Sequence, residues 1–149
     1  MKILMVCLGN ICRSPLAEGI LSYKGRHLKL EVDSAGTASY HIGKQPDIRS
    51  IEIANKYDID LNQQRARQFS RADFDEFDII YAMDTNNYAH LVSLASSETE
   101  RNKIRMILNE INPNGYESVP DPYYGGENGF QAVYNMLDKA CDKIIQDIE

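Results

Sequence analysis

The stretch Ile3-Leu4-Met5-Val6-Cys7-Leu8-Gly9-Asn10-Ile11-Cys12-Arg13-Ser14-Pro15 decides how the chain begins to fold. Its first four residues form a continuous apolar run, the pattern of a strand buried on both faces. Ser14 reads as a helix N-cap and Pro15 as the first helical residue. Leu16, Ala17, Ile20 and Leu21 then fall on one stripe, so a helix is expected to about Gly25. The opening is therefore strand, loop, helix.

A loop that joins a buried strand to a helix N-terminus can turn its backbone amides toward one point, where the helix dipole is positive. Residues 7–14 are expected to bind an anion there. Gly9 permits unusual backbone geometry, and Asn10 is the residue type other than glycine that best tolerates a left-handed conformation. Cys7 sits among these donors and beside Arg13, an environment that favours a thiolate. Arg13 offers a planar fork matched to two phosphate oxygens, which lysine lacks. Ser14 can donate to the sulfur and ease its departure in a second step. A cysteine six residues ahead of an arginine carries little by itself, since cysteine is commonly a core residue. The preceding strand, the loop glycine and the helix start give the pair its meaning.

Beyond this opening, strands and helices alternate. Leu30–Asp33 reads as a second strand ending at residues 34–37, followed by a helix over Pro46–Tyr57. Phe77–Met83 and Ile104–Leu108 are further apolar runs, with a helical stretch over Asn86–Leu94 between them. From Gly129 onward, Phe130, Val133, Tyr134, Leu137, Ala140, Cys141, Ile144 and Ile148 recur at three- and four-residue steps, the mark of an amphipathic helix. This places Cys141 in the core. Alternation of this kind implies an α/β fold with a parallel sheet covered on both faces, its ligands lying beyond the carboxyl ends of the strands.

Composition narrows the class. The chain has 149 residues, 43% hydrophobic and 26% charged, which suits one domain over residues 1–149. A formal charge of −6 argues against a nucleic-acid surface, and no apolar run is long enough for a membrane span. The apolar stretch after Met1 is too short for a secretory leader. Three cysteines, Cys7, Cys12 and Cys141, fit neither a disulfide framework nor a zinc site. The cytoplasm is the expected compartment, with no metal or cofactor.

Cys7-Leu8-Gly9-Asn10-Ile11-Cys12-Arg13-Ser14-Pro15 resembles the signature of the low-molecular-weight protein tyrosine phosphatases. The resemblance extends through Asp33-Ser34-Ala35-Gly36-Thr37, Pro46-Asp47-Ile48-Arg49, Ala66-Arg67-Gln68, Met83-Asp84 and Asp121-Pro122-Tyr123-Tyr124-Gly125, in the family's order. It implies a single-domain, four-stranded parallel sheet of flavodoxin-like type with helices on both faces. It further implies a phosphocysteine mechanism: Cys7 as nucleophile, Arg13 as transition-state binder, and Asp121 as general acid and then base. An acid is chemically needed, because a phenol with a pKa of about 10 is a poor leaving group at neutral pH. Without the family pattern, Asp121 would read as a turn residue before proline.

Leu8, Gly9, Asn10, Ile11, Cys12 and Ser14 are then expected to line the phosphate site. Tyr40, Tyr123 and Tyr124 would form an aromatic rim that stacks on a substrate ring. Asp84 reads as a cap for the following helix, and Ser34 as support for the loop. Gln64 stands where many relatives carry a histidine that braces the loop, which leaves the bracing of Asn10 and Ser14 to be explained. Cys12 would either form a reversible disulfide with Cys7 or simply pack the loop.

The expected partner is a tyrosine-phosphorylated protein or aryl phosphate, with phosphate and other oxyanions as inhibitors. Three rivals are weaker. Arsenate reduction needs a cysteine relay, and none lies between Cys12 and Cys141. Protein-arginine dephosphorylation would favour Thr where this loop has Ile11. A non-catalytic phosphotyrosine-binding module would need neither a thiolate nor an acid.

Overall fold

The computed structural model describes residues 1–124 and 128–149, with Tyr124 described in its backbone alone. Strand β1 (Lys2–Cys7) lies between β2 (Glu31–Gly36) and β3 (Ile79–Ala82), and β4 (Ile104–Met106) pairs with β3. All three pairings are parallel. The helices are α1 (Arg13–Lys24), α2 (Ile48–Asn55), α3 (Asp73–Glu76), α4 (Thr85–Leu94), α5 (Glu98–Lys103) and α6 (Gly129–Ile148).

Alternation along β1 sends its side chains into two separate cores. Ile3 and Met5 pack with Leu16 and Ile20 of α1, Ile51 of α2, and Val133 and Leu137 of α6. Leu4 and Val6 face the other way, toward Phe74 of α3 and Leu91 of α4. Helices thus cover both faces, as the apolar runs imply. The chain leaves β1 toward β2 and later returns to its other side at β3. That reversal of direction opens a crevice at the carboxyl end of β1, where Cys7 emerges.

Several boundaries differ from the sequence reading. Helix α1 begins at Arg13 with Cys12 as its N-cap and no side-chain cap, so Ser14 is not the N-cap. Its hydroxyl is engaged by Asn10 and Cys7 instead. Pro15 still falls in the first turn, where backbone N–H groups lack helical partners. The fourth strand ends at Met106 and passes into a 3-10 turn over Ile107–Glu110. Asp84 does cap α4, accepting from the Asn87 amide at 2.7 Å.

The end of β2 touches the loop after β1. A Cβ on Gly36 would stand 2.7 Å from the Leu8 carbonyl oxygen and 3.2 Å from the Asn10 nitrogen. Gly36 also accepts from the Phe69 amide and donates to the Arg67 carbonyl, so it has little room to withdraw. Gly36→Ala should lower the unfolding free energy by about 1–3 kcal/mol, measured by urea denaturation.

Candidate active site

The loop after β1 is held from within by Asn10, which is 2% exposed and has a φ of +57°. Asparagine supplies the left-handed residue, and Gly9 is not among the positive-φ positions. The expected freedom of Gly9 is therefore not used. What matters there is space, since a Cβ on Gly9 would lie 3.0 Å from His41 Cδ2.

One backbone donor fixes the proton order of the site. The Arg67 amide N–H donates to Asn10 Oδ1 at 3.0 Å, which sets the orientation of the side-chain amide. Asn10 Nδ2 must then face the two serines, donating to Ser14 Oγ at 2.8 Å and Ser34 Oγ at 2.9 Å. Each hydroxyl accepts from Asn10 and keeps its own proton to give onward. Ser34 gives it to Glu18 Oε1 at 2.7 Å. Ser14 is left with Cys7 Sγ at 3.0 Å, which also accepts from the Asn10 backbone N–H at 3.3 Å. The sulfur thus has a backbone N–H and a hydroxyl directed at it.

Gln64 is not among the partners that brace Asn10 and Ser14. Gln64 Nε2 donates to the Pro15 carbonyl at 3.0 Å in α1, and its Oε1 is buried with no hydrogen-bond partner among the described residues. Ser34 and the Arg67 amide hold Asn10 in its place.

Arg13 is 4% exposed and paired, its Nη1 donating to Asp84 Oδ2 at 2.7 Å and to the Val119 carbonyl at 3.0 Å. Asp84 was legible as a helix cap, whereas its pairing with Arg13 is a tertiary contact across 71 positions that no local pattern displays. Cys7, Leu8, Gly9, Ile11, Cys12 and Arg13 line a cleft of about 340 Å³, together with Asp121, Tyr40, Tyr123 and His41. Tyr40 is 73% exposed and Tyr123 56% exposed, as rim positions would be. His41 was not singled out from sequence. The side chain of Tyr124 and all of Gly125 lie outside the described residues. Asn10 and Ser14 lie beneath the cleft rather than in its wall. Among the described residues, no three His, Cys, Asp or Glu side chains converge as a metal site requires.

The three cysteines carry free thiols. Burial, with Asp47 and Cys7 nearby, pushes the Cys12 thiol up to about 12. Cys141 is fully buried, and its thiol is likewise pushed up.

Comparison with known proteins shows the family and the fold. The model of the low molecular weight phosphotyrosine protein phosphatase family matches residues 2–149. The low molecular weight protein-tyrosine-phosphatase YfkJ of Bacillus subtilis is 38% identical, covering 99% of this chain and 96% of the relative. A crystal structure of protein tyrosine phosphatase from Entamoeba histolytica, with Hepes in the active site, superposes with a TM-score of 0.91 at 40% identity. It covers 99% of this chain and 96% of its own. A Drosophila arginine phosphatase superposes with a TM-score of 0.92 at 33% identity, covering 100% and 98%. The matched family and fold are those of protein tyrosine phosphatases. Within that class, this chain belongs to the low molecular weight phosphotyrosine protein phosphatase family. Among the described residues, no helix is long and apolar enough to cross a membrane.

Glu18 gives the site a measurable pH signature. Burial pushes its carboxyl up to about 7, against the opposing hydrogen bond from Ser34. A carboxyl that holds its proton longer when folded binds more protons in the native state. Stability is therefore lost as pH rises from the ordinary carboxylate range through 7. Glu18→Gln keeps an acceptor for Ser34 and removes this loss. The variant should gain about 2–3 kcal/mol relative to the parent between pH 4.5 and pH 8, read from urea midpoints at the two pH values.

Proposed function

We propose that this chain hydrolyses phosphotyrosine in proteins, and small aryl phosphates, through a phosphocysteine on Cys7. The observation that carries the reading is the position of Cys7 Sγ, which accepts from the loop amide, has the Ser14 hydroxyl at 3.0 Å, and lines a cleft with Arg13 and Asp121. The thiolate attacks phosphorus as the bond to the aryl oxygen breaks, and Asp121 in its protonated form delivers a proton to that oxygen. The loop amides and the Arg13 fork take up the charge on the equatorial oxygens. Water then attacks the phosphocysteine with Asp121 as base, and Ser14 donates to the departing sulfur. Inorganic phosphate and similar oxyanions should compete for the same cradle.

Ile11, Tyr40 and Tyr123 give the cleft an aliphatic and aromatic lining suited to a phenyl ring, which favours an aryl over a guanidino leaving group. Turnover should disappear in Cys7→Ser, and Asp121→Ala should retain phosphotyrosine peptides on a pull-down. Undiminished turnover in Cys7→Ser would remove the mechanism. Faster hydrolysis of a phosphoarginine peptide than of its phosphotyrosine counterpart would reassign the substrate.

Cys7 and Cys12 line the same cleft, which bears on oxidation. Peroxide would first convert the Cys7 thiolate to a sulfenic acid, and Cys12 would then displace hydroxide to close a disulfide, its proton leaving as water. Peptide mapping after mild peroxide should find Cys7 joined to Cys12. Cys7 as sulfinic acid with Cys12 still free would exclude the disulfide.

A further inference from the structure

We propose that Arg49 is a positioning residue that holds the segment carrying Asp121 over the cleft. This rests on Asp121 being the acid. Asp121 lies between two points at which its segment meets an arginine. On one side, the Val119 carbonyl accepts from Arg13 at 3.0 Å. On the other, the Arg49 guanidinium lies 5.0 Å from the Tyr123 ring centroid and 4.7 Å from that of Phe130 at the start of α6. The Tyr123 amide in turn donates to Asp121 Oδ1 at 3.0 Å, so the position of Tyr123 bears directly on the carboxyl.

Arg49 is itself fixed. Its Nε and Nη2 donate to the two oxygens of Asp47, both at 3.0 Å, and these bonds hold the Asp47 carboxyl below the usual range. Asp47 caps α2 through the Arg49 amide, and its own amide donates to the Ile11 carbonyl at 2.7 Å in the phosphate loop. Ser50 adds a second tie, donating to the Cys12 carbonyl at 3.2 Å. The first turn of α2 is thus bolted to the loop that holds phosphate, and Arg49 reaches from it to the segment that holds the acid. A planar cation can pair edge-on with a carboxylate while its faces meet aromatic rings, which an ammonium cannot do.

A group that positions an acid matters only where the leaving oxygen needs a proton. Kinetics of Arg49→Met should separate two esters: phenyl phosphate, whose phenoxide leaves poorly, and 2,4-dinitrophenyl phosphate, whose acidic phenol leaves without help. The expected result is a fall of about tenfold in kcat/KM for phenyl phosphate and less than about twofold for the dinitrophenyl ester. Asp121→Asn should show the same contrast more strongly. Retained turnover of the dinitrophenyl ester also reports that the variant is folded. Equal losses on both esters, or no loss on either, would overturn the role of Arg49. If Asp121→Asn shows no contrast, the acid assignment falls and the proposal with it.

Discussion

The site depends on the side-chain amide of one buried asparagine. Asn10 occupies a left-handed backbone conformation that lets the loop curl, and its amide satisfies three groups at once: the Arg67 backbone N–H, the Ser14 hydroxyl and the Ser34 hydroxyl. A buried donor or acceptor left without a partner costs about 1–3 kcal/mol, so these bonds are costly to break singly. Their order is also directional. Because a backbone N–H can only donate, the amide cannot flip, and the Ser14 proton is left for the sulfur. A peptide group in the segment before α3 thereby determines what Cys7 receives.

The second constraint is electrostatic. A guanidinium as buried as that of Arg13 needs a counter-charge, and Asp84 at 2.7 Å supplies it. Asp84 also caps α4, so one carboxylate holds both the helix following β3 and the arginine at the start of α1. The Val119 carbonyl completes the arrangement and brings in the segment that leads to Asp121. Three parts of the chain that follow different strands meet at this one side chain. The parallel sheet makes the meeting possible by directing the ends of β1, β3 and β4 to the same edge.

Much of this is legible in the sequence. Buried parallel strands are nearly all apolar, so β1 and β3 stood out, and α6 declared itself by its long stripe. The phosphate loop could be read because its chemistry is packed into contiguous residues. Short elements were not legible: α3 has four residues and α5 six, too few to display a period. Ser14 misled because serine before proline is a strong cap signal, and only the tertiary partners Asn10 and Cys7 outbid it. The contribution of Arg67 to Asn10 could not have been found from residue types, since it is made by the backbone. Asp84 and Glu18 belong to the site through partners distant in sequence, 71 and 16 positions away.

These constraints converge on the claim that Cys7 attacks phosphorus. The most direct test mixes the protein with excess aryl phosphate, quenches in acid within the first turnover, and maps the phosphoryl group by peptide mass spectrometry. The account predicts one phosphoryl group on the sulfur of Cys7, formed with a burst of released phenol. Phenol release with Cys7 unmodified, or with the phosphoryl group on another residue, would contradict it.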